Sequence, residues 1–333
     1  MKDLVPKETL TANLLAHPAV GAWSELNPER VEPEEIETLR SANKSAIYRL
    51  RGVGPGGMNV IAKRSLSNSA LIERLVYQEI LALLPLPALQ CYGAVQDYDP
   101  KFHWLFIEDA GTEPYQESLA DHRGLVAEWL AALHSVEVDP RVALRLPDRG
   151  PGHYLKVLDA GRELLREHLA NPFLKQEDLS LLQALIHQCS FLEAHWIELE
   201  ELCLATPRAL VHGDLVSKNV RVRGATSDEL VFFAFDWENA GWGVPAADLA
   251  SFPDRTVNPD LEVYGACFKN GLSAKSLAEC GRIFRLLESI RWAASCLALK
   301  PYDSWLARPI ASLQVYRHRM AEAFAERQWD CHS

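Results

Sequence analysis

Near Gly111 the chain changes its repeat, and this switch limits the possible folds more than any other feature. Before it, short runs read as strands with one helix among them. After it, nearly every long segment repeats at three- and four-residue steps, the spacing of a helix face. Ile36 to Leu39 and Ala46 to Arg51 predict two strands around Arg40-Ser-Ala-Asn-Lys-Ser45, and Met58 to Lys63 predicts a third with Val60 and Ala62 on one face. Leu71, Ile72, Leu75, Val76, Ile80 and Leu83 predict a helix from Asn68 to Leu84, stopped by Leu84-Pro-Leu-Pro87. Two further strands follow at Leu89 to Gln96 and Phe102 to Ile107.

Helical spacing then runs over Leu119 to His134, His153 to Ala170, Gln176 to Leu204, Ser273 to Leu299 and Pro309 to Gln328, broken by one β-like island from Ala209 to Asp236. Thr11 to His17 and Ala22 to Leu26 also have helical spacing. The expectation is an α+β chain in three parts. These are a helical extension over 1–34, a small β-rich lobe over 35–110, and a larger helical lobe over 111–333. No internal repeat is visible.

Composition removes several classes of function. Acidic residues outnumber basic ones by 45 to 34, the opposite of the lysine and arginine clusters that contact nucleic-acid phosphate. The 7 cysteines are scattered and form no C-x-x-C pair, which argues against a zinc site or a disulfide framework. No apolar run reaches transmembrane length, and the first residues lack an apolar signal core. A soluble, cytoplasmic protein without nucleic-acid or membrane partners is expected.

The densest chemical signal is Leu210-Val-His-Gly-Asp-Leu-Val-Ser-Lys-Asn219-Val-Arg-Val, an apolar strand, a polar loop and a second apolar strand. Downstream, Val231-Phe-Phe-Ala-Phe-Asp236-Trp-Glu238 delivers another carboxylate at a strand end. Asp214, Asn219 and Asp236 therefore emerge from adjacent β segments. Magnesium takes such hard oxygen ligands, and phosphoryl transfer needs a carboxylate to orient and deprotonate the attacking hydroxyl.

His212-Gly-Asp-Leu-x-x-x-Asn219 with Phe235-Asp-Trp-Glu238 resembles the aminoglycoside phosphotransferase and choline kinase family, which shares the protein-kinase fold. Trp129-Leu-Ala-Ala-Leu-His134-Ser and the run from Asp236 to Asp248 resemble it too, so the similarity spans about Lys63 to Asp248 in the family's order. The resemblance implies a bilobal, protein-kinase-like α+β fold with a small antiparallel-sheet lobe and a larger helical lobe. It implies Asp214 as catalytic base, and Asn219 and Asp236 as magnesium ligands. Lys63 would grip the α- and β-phosphates of ATP, with Glu73 as its carboxylate partner, chosen over Glu79 by distance from Pro87. Phe106, Ile107, Glu108 and Asp109 would form the hinge whose backbone meets the adenine. Glu238 is read either as a further metal ligand or as a brace of the strand end. His212, Gly213, His134 and Asp248 are read as structural, and Lys218 and Arg221 as solvated surface positions rather than phosphate contacts.

Gly52-x-Gly54-x-x-Gly57 matches a dinucleotide-binding pattern, but a strand rather than a helix follows it. It reads as the hairpin between the second and third strands. The nucleotide loop is then Ser41-Ala-Asn43-Lys-Ser45, whose small polar residues offer donors to phosphate. Among the tryptophans, Trp237 and Trp242 flank the metal loop and are the two expected to line a substrate pocket. Glu163, Glu167, Asp254 and Asp260 either recruit an amine or belong to solvated faces. The expected activity is transfer of the γ-phosphate of ATP to a hydroxyl of a small molecule such as an aminoglycoside, amino alcohol or sugar. The alternatives are a protein kinase, against which Gly213 stands where arginine is usual, and a catalytically silent nucleotide binder.

Overall fold

The computed structural model describes residues 8–27, 32–224, 229–250, 257–268, 271, 273–297, 304–329 and 331. In chain order the strands are β1 (Thr9–Leu10), β2 (Ile36–Ala42), β3 (Ser45–Leu50), β4 (Val60–Leu66), β5 (Cys91–Gln96), β6 (Phe102–Glu108), β7 (Asp148–Arg149), β8 (Ala209–Val211), β9 (Val220–Arg223), β10 (Val231–Ala234) and β11 (Gly241–Gly243). The α-helices are α1 (Pro18–Leu26), α2 (Ser67–Leu75), α3 (Ala120–His134), α4 (Pro140–Ala143), α5 (Pro151–Glu167), α6 (Gln176–Ala194), α7 (Trp196–Leu204), α8 (Ala246–Leu249), α9 (Leu261–Cys267), α10 (Ala274–Ser295) and α11 (Ser304–Glu326). The chain forms two compact units, Met1–Leu146 with His212–Ala240, and Pro147–Val211 with Gly241–Ser333.

The first unit is built on a six-stranded antiparallel sheet in the order β1-β2-β3-β4-β6-β5. One face is dry. Ile36, Leu50, Val60, Ala62, Trp104 and Phe106 pack there against Ala19, Val20, Ala22 and Trp23 of α1. Each large side chain buried in such a layer contributes roughly 1.5–3 kcal/mol. Helix α1 begins on Pro18, whose fixed φ suits the first turn, and the imidazole of His17 accepts the amide of Ala19 at 3.2 Å.

The opposite face is polar at its centre. Directly paired residues share a face, and the register sets Arg40 opposite Ile47, and Ile47 opposite Lys63. A bulge between Thr38 and Arg40 shifts the β2 register. Thr38 therefore belongs to the dry face while Arg40, two residues on, belongs to the polar one. Helix α2 leaves β4 directly and continues through a π-helical turn over Val76–Ile80 and a 3₁₀ turn over Leu81–Leu83.

The glycine-rich segment sits between β3 and β4, as its sequence context implies. The turn expected to serve as nucleotide loop is shorter than Ser41 to Ser45. Pairing continues to Ala42 and Ser45, so only Asn43 and Lys44 make the turn. Strand β1, invisible in a two-residue run, extends the sheet through Thr9 and Leu10.

The second unit is mainly helical. Gln176 to Leu204 is not one helix: α6 ends at Ala194, and α7 starts at Trp196. A small sheet in the order β7-β11-β8 lies in the same unit. No helix of the described residues is long and apolar enough to cross a membrane.

Candidate active site

Lys63 comes from the centre of β4, where strand alternation turns it away from Ala62 and the dry core. It is buried, and so is Glu73 on α2. Their charges meet at 2.6 Å between Nζ and Oε1, and Lys63 also pairs with Asp236. Burial acts to lower the pKa of the Lys63 ammonium, but the attraction of Glu73 and Asp236 outweighs it and holds the group above its ordinary value. Burial pushes Glu73 up to about 7, against the pull of Lys63. Asp236 is also disfavoured by burial, yet Lys63 keeps it below the usual carboxylate range. Two carboxylates facing one ammonium thus divide unequally, and Asp236 is the more readily ionised of the two. Glu79 turns elsewhere, to Arg145 at 2.8 Å in an exposed pair.

The loop between β8 and β9 carries the second group of residues. Asn219 donates from Nδ2 to the carbonyl of Asp214 at 2.9 Å and to its Oδ2 at 3.1 Å. Lys218 Nζ lies 3.3 Å from the same carboxylate. His212 is buried, accepts the Asp214 amide at Nδ1 (3.3 Å), and therefore donates from Nε2 to the Phe235 carbonyl (3.1 Å). The Phe235 amide donates to the Asn219 carbonyl at 3.0 Å. These bonds tie the Asp214 loop to the strand that delivers Asp236. Asp236 itself has φ 70° and ψ 53°, a left-handed conformation that aspartate tolerates better than most residues.

One carboxylate oxygen each from Glu73, Asp236 and Glu238 lies within 4.8 Å of the other two. Glu73 is occupied as counter-ion to Lys63. Asp236, Glu238 and the amide oxygen of Asn219 remain as a set of hard oxygens fitting magnesium. Asn219 and Asp236 line a cleft of about 520 Å³, a ligand-sized volume, and Glu238 adjoins it through Asp236. Its walls include Leu39, Ile47 and Ile61 from the sheet, Ile107 to Gly111 from the end of β6 and the segment after it, and Asn219, Phe235 and Asp236 from the loops. Every residue of this cleft belongs to the first unit.

The remaining expected residues separate. Ser41 lines the cleft. Asn43 is at the turn tip. Ser45 is buried on the Lys63 face opposite Ser65, and among the described residues neither hydroxyl has a hydrogen-bond partner. Phe106 packs into the dry core against Trp23 and Trp104, so its side chain is not a cleft wall. The amides of Glu108 and Asp109 donate to the carbonyls of Gln90 (2.8 Å) and Asn59 (3.4 Å) and are engaged within the fold. Asp109 accepts Arg49 Nε at 2.6 Å, bracing the segment after β6.

Two expectations need correction. Trp237 is completely buried against His212 and Trp129, so it supports the loop and lines no pocket. Arg221 is not a solvated surface residue. It lines the cleft, and burial lowers its pKa. Sequence reasoning also missed Arg40 as a cleft residue, because the β2 bulge that aims it leaves no mark in a strand pattern. Of the acids considered for an acceptor amine, Glu163 pairs with Arg166, and Asp260 accepts the amides of Glu262 (3.0 Å) and Val263 (3.1 Å) as a helix cap. Glu167 ends α5. Asp254 lies outside the described residues.

No curated protein sequence matches the chain significantly. Solved structures do match in fold. The GDP and kanamycin complex of APH(2'')-IIia aligns with TM-score 0.64 at 12% identity, covering 90% of this chain and 97% of that one. Choline kinase from Cryptosporidium parvum Iowa II aligns with TM-score 0.58 at 14% identity, covering 92% and 93%. Spectinomycin phosphotransferase APH(9)-Ia, in complex with ADP and spectinomycin, gives 0.57 at 11% identity, covering 92% and 98%. These proteins share the protein-kinase-like fold, and this chain has the same α+β fold. The sequence pattern of the phosphotransferase enzyme family (APH) matches residues 61–278, and the chain belongs to that family.

Proposed function

We propose that this protein transfers the γ-phosphate of ATP to a hydroxyl group of a small molecule. One observation carries the reading. Lys63 is ion-paired to both Glu73 and Asp236 in a cleft that also receives Asn219, next to the loop carrying Asp214. Lys63 would neutralise phosphate charge and fix the register of the nucleotide. The base would lie toward Ile107 to Gly111, and Ser41 would face the phosphates. The nucleotide would thus be bound chiefly by residues 35–110, and the catalytic and metal loops would come from the part that follows. Asn219, Asp236 and Glu238 would hold magnesium, which supplies charge neutralisation at the phosphate oxygens. Asp214, steadied by Asn219 and Lys218, would accept the proton of the acceptor hydroxyl.

The acceptors named for the similar structures, kanamycin and spectinomycin, together with choline, define the first panel to test: aminoglycosides, amino alcohols and sugars. Release of ADP with one of these, dependent on magnesium, is the expected result. Asp214→Asn is expected to retain ATP binding and lose turnover. Turnover of Asp214→Asn near that of the wild type would remove Asp214 as the base. A chain that binds no nucleotide at all would remove the kinase reading.

A further inference from the structure

We propose that Arg40 binds the polyphosphate of the nucleotide and sets a preference for triphosphate over diphosphate. The proposal rests on the phosphotransferase reading above and adds a residue to it.

Three observations converge on Arg40. The first is its aim. Without the bulge between Thr38 and Arg40, strand alternation would put both on one face. The bulge instead sets Arg40 opposite Ile47 and in one row with Lys63, and Arg40 lines the cleft. Bulges re-aim side chains in this way next to functional sites. Two strand spacings separate Arg40 from Lys63, about 10 Å at the backbone, so both side chains can reach one polyphosphate.

The second observation is the absence of a protein partner. Neighbouring arginines of the sheet are matched: Arg49 with Glu37 and Asp109, both at 2.6 Å, Arg51 with Glu35, and Arg64 with Asp97 at 2.8 Å. Among the described residues Arg40 has no ion-pair partner, and its Nε is buried with no acceptor. A buried donor without an acceptor is costly unless a ligand supplies one. In a chain of net charge -11 an acidic partner would have been easy to place.

The third is chemistry. A guanidinium offers a planar fork that matches two phosphate oxygens, which a single ammonium does not. The turn at Asn43 and Lys44 is too short to wrap phosphates with backbone amides, as glycine-rich loops do. Arg40 at the base of that hairpin supplies the missing donors from a side chain.

The test is equilibrium binding of magnesium-ATP, ADP and AMP to the full chain, in the wild type, Arg40→Lys and Arg40→Gln. Arg40→Gln is expected to weaken ATP binding by about tenfold or more, as loss of a charge-assisted hydrogen bond does. ADP should weaken less and AMP should stay nearly unchanged. Arg40→Lys should recover part of the loss, and its retained charge guards against misreading a folding defect. Unchanged ATP binding in Arg40→Gln, or equal weakening of all three nucleotides, overturns the role of Arg40 alone. Failure of the wild type to bind any of the three overturns the kinase reading, and this proposal with it.

Discussion

A Cβ on residue 213 would stand 2.4 Å from the carbonyl oxygen of Asn239. Gly213 also has φ 77°, so its lack of a side chain is required twice, by conformation and by space. The contact joins the loop of Asp214 to the segment just after Asp236. Gly213→Ala is expected to lose about 1–2 kcal/mol from φ alone, with a further loss from displaced backbone. With Asp214 in its proposed role as base, moving it by an ångström is expected to cost about 100-fold in turnover. Urea unfolding and turnover with the acceptor found in the panel would check this; a variant as stable and as active as the wild type would show that the loop is compliant.

Asp97 anchors the hairpin of β5 and β6. It accepts Arg64 at 2.8 and 2.9 Å, the Asp99 amide at 3.0 Å and Trp104 Nε1 at 2.7 Å. The hydrogen bonds from Arg64, above all, hold its carboxyl below the ordinary 3.8 against the opposing effect of burial. A depressed folded-state pKa means that the stabilisation is present above about pH 3.8 and is lost as pH falls below it. Asp97→Asn should cost about 1–2 kcal/mol at pH 7, and the gap to wild type should shrink by pH 3. Urea midpoints across that range decide it, since a gap that persists at pH 3 would place the effect in packing rather than charge.

The strands of the first sheet were legible because alternation around Val60 and Ala62 has a short period and a dry face. Asp214, Asn219 and Asp236 stood out in the sequence because a polar loop between apolar strands carries the first two and an apolar strand leads into the third. Less legible was whatever depends on distant pairing. The bulge that aims Arg40 exists only because β3 fixes the register opposite β2. Strands of two or three residues, such as β7 and β11, are defined by their partners rather than by a pattern. Trp237 looked like a pocket residue from its place in the sequence, but its environment is the ring of His212.

Glu73 and Glu79 show how far a helix pattern reaches. Both lie on the segment after β4; the family resemblance selects Glu73 by its distance from Pro87, and in the fold Glu73 faces Lys63 while Glu79 meets Arg145 in the open. Exposed pairs of this kind contribute about 0–1 kcal/mol. Glu79→Gln is therefore expected to change neither stability nor nucleotide affinity measurably. A loss of ATP binding in Glu79→Gln, measured by titration, would show that the π-helical turn moves Glu79 toward the cleft.

Lys63, Glu73 and Asp236 form a trio with two negative groups on one positive one, so the three single substitutions should not be equivalent. Lys63→Met removes the cation and leaves a buried carboxylate (Glu73) facing a half-buried one (Asp236), a change of the kind that costs about 3–5 kcal/mol. Glu73→Gln leaves Lys63 paired with Asp236, and Asp236→Asn leaves it paired with Glu73; each should cost less than the lysine change. The double variant Lys63→Met with Glu73→Gln should recover stability relative to Lys63→Met alone, because it removes the uncompensated charge that the single change creates. Urea midpoints of the four variants test the order. If Glu73→Gln proves the most damaging, the carboxylate is holding α2 in place rather than balancing Lys63.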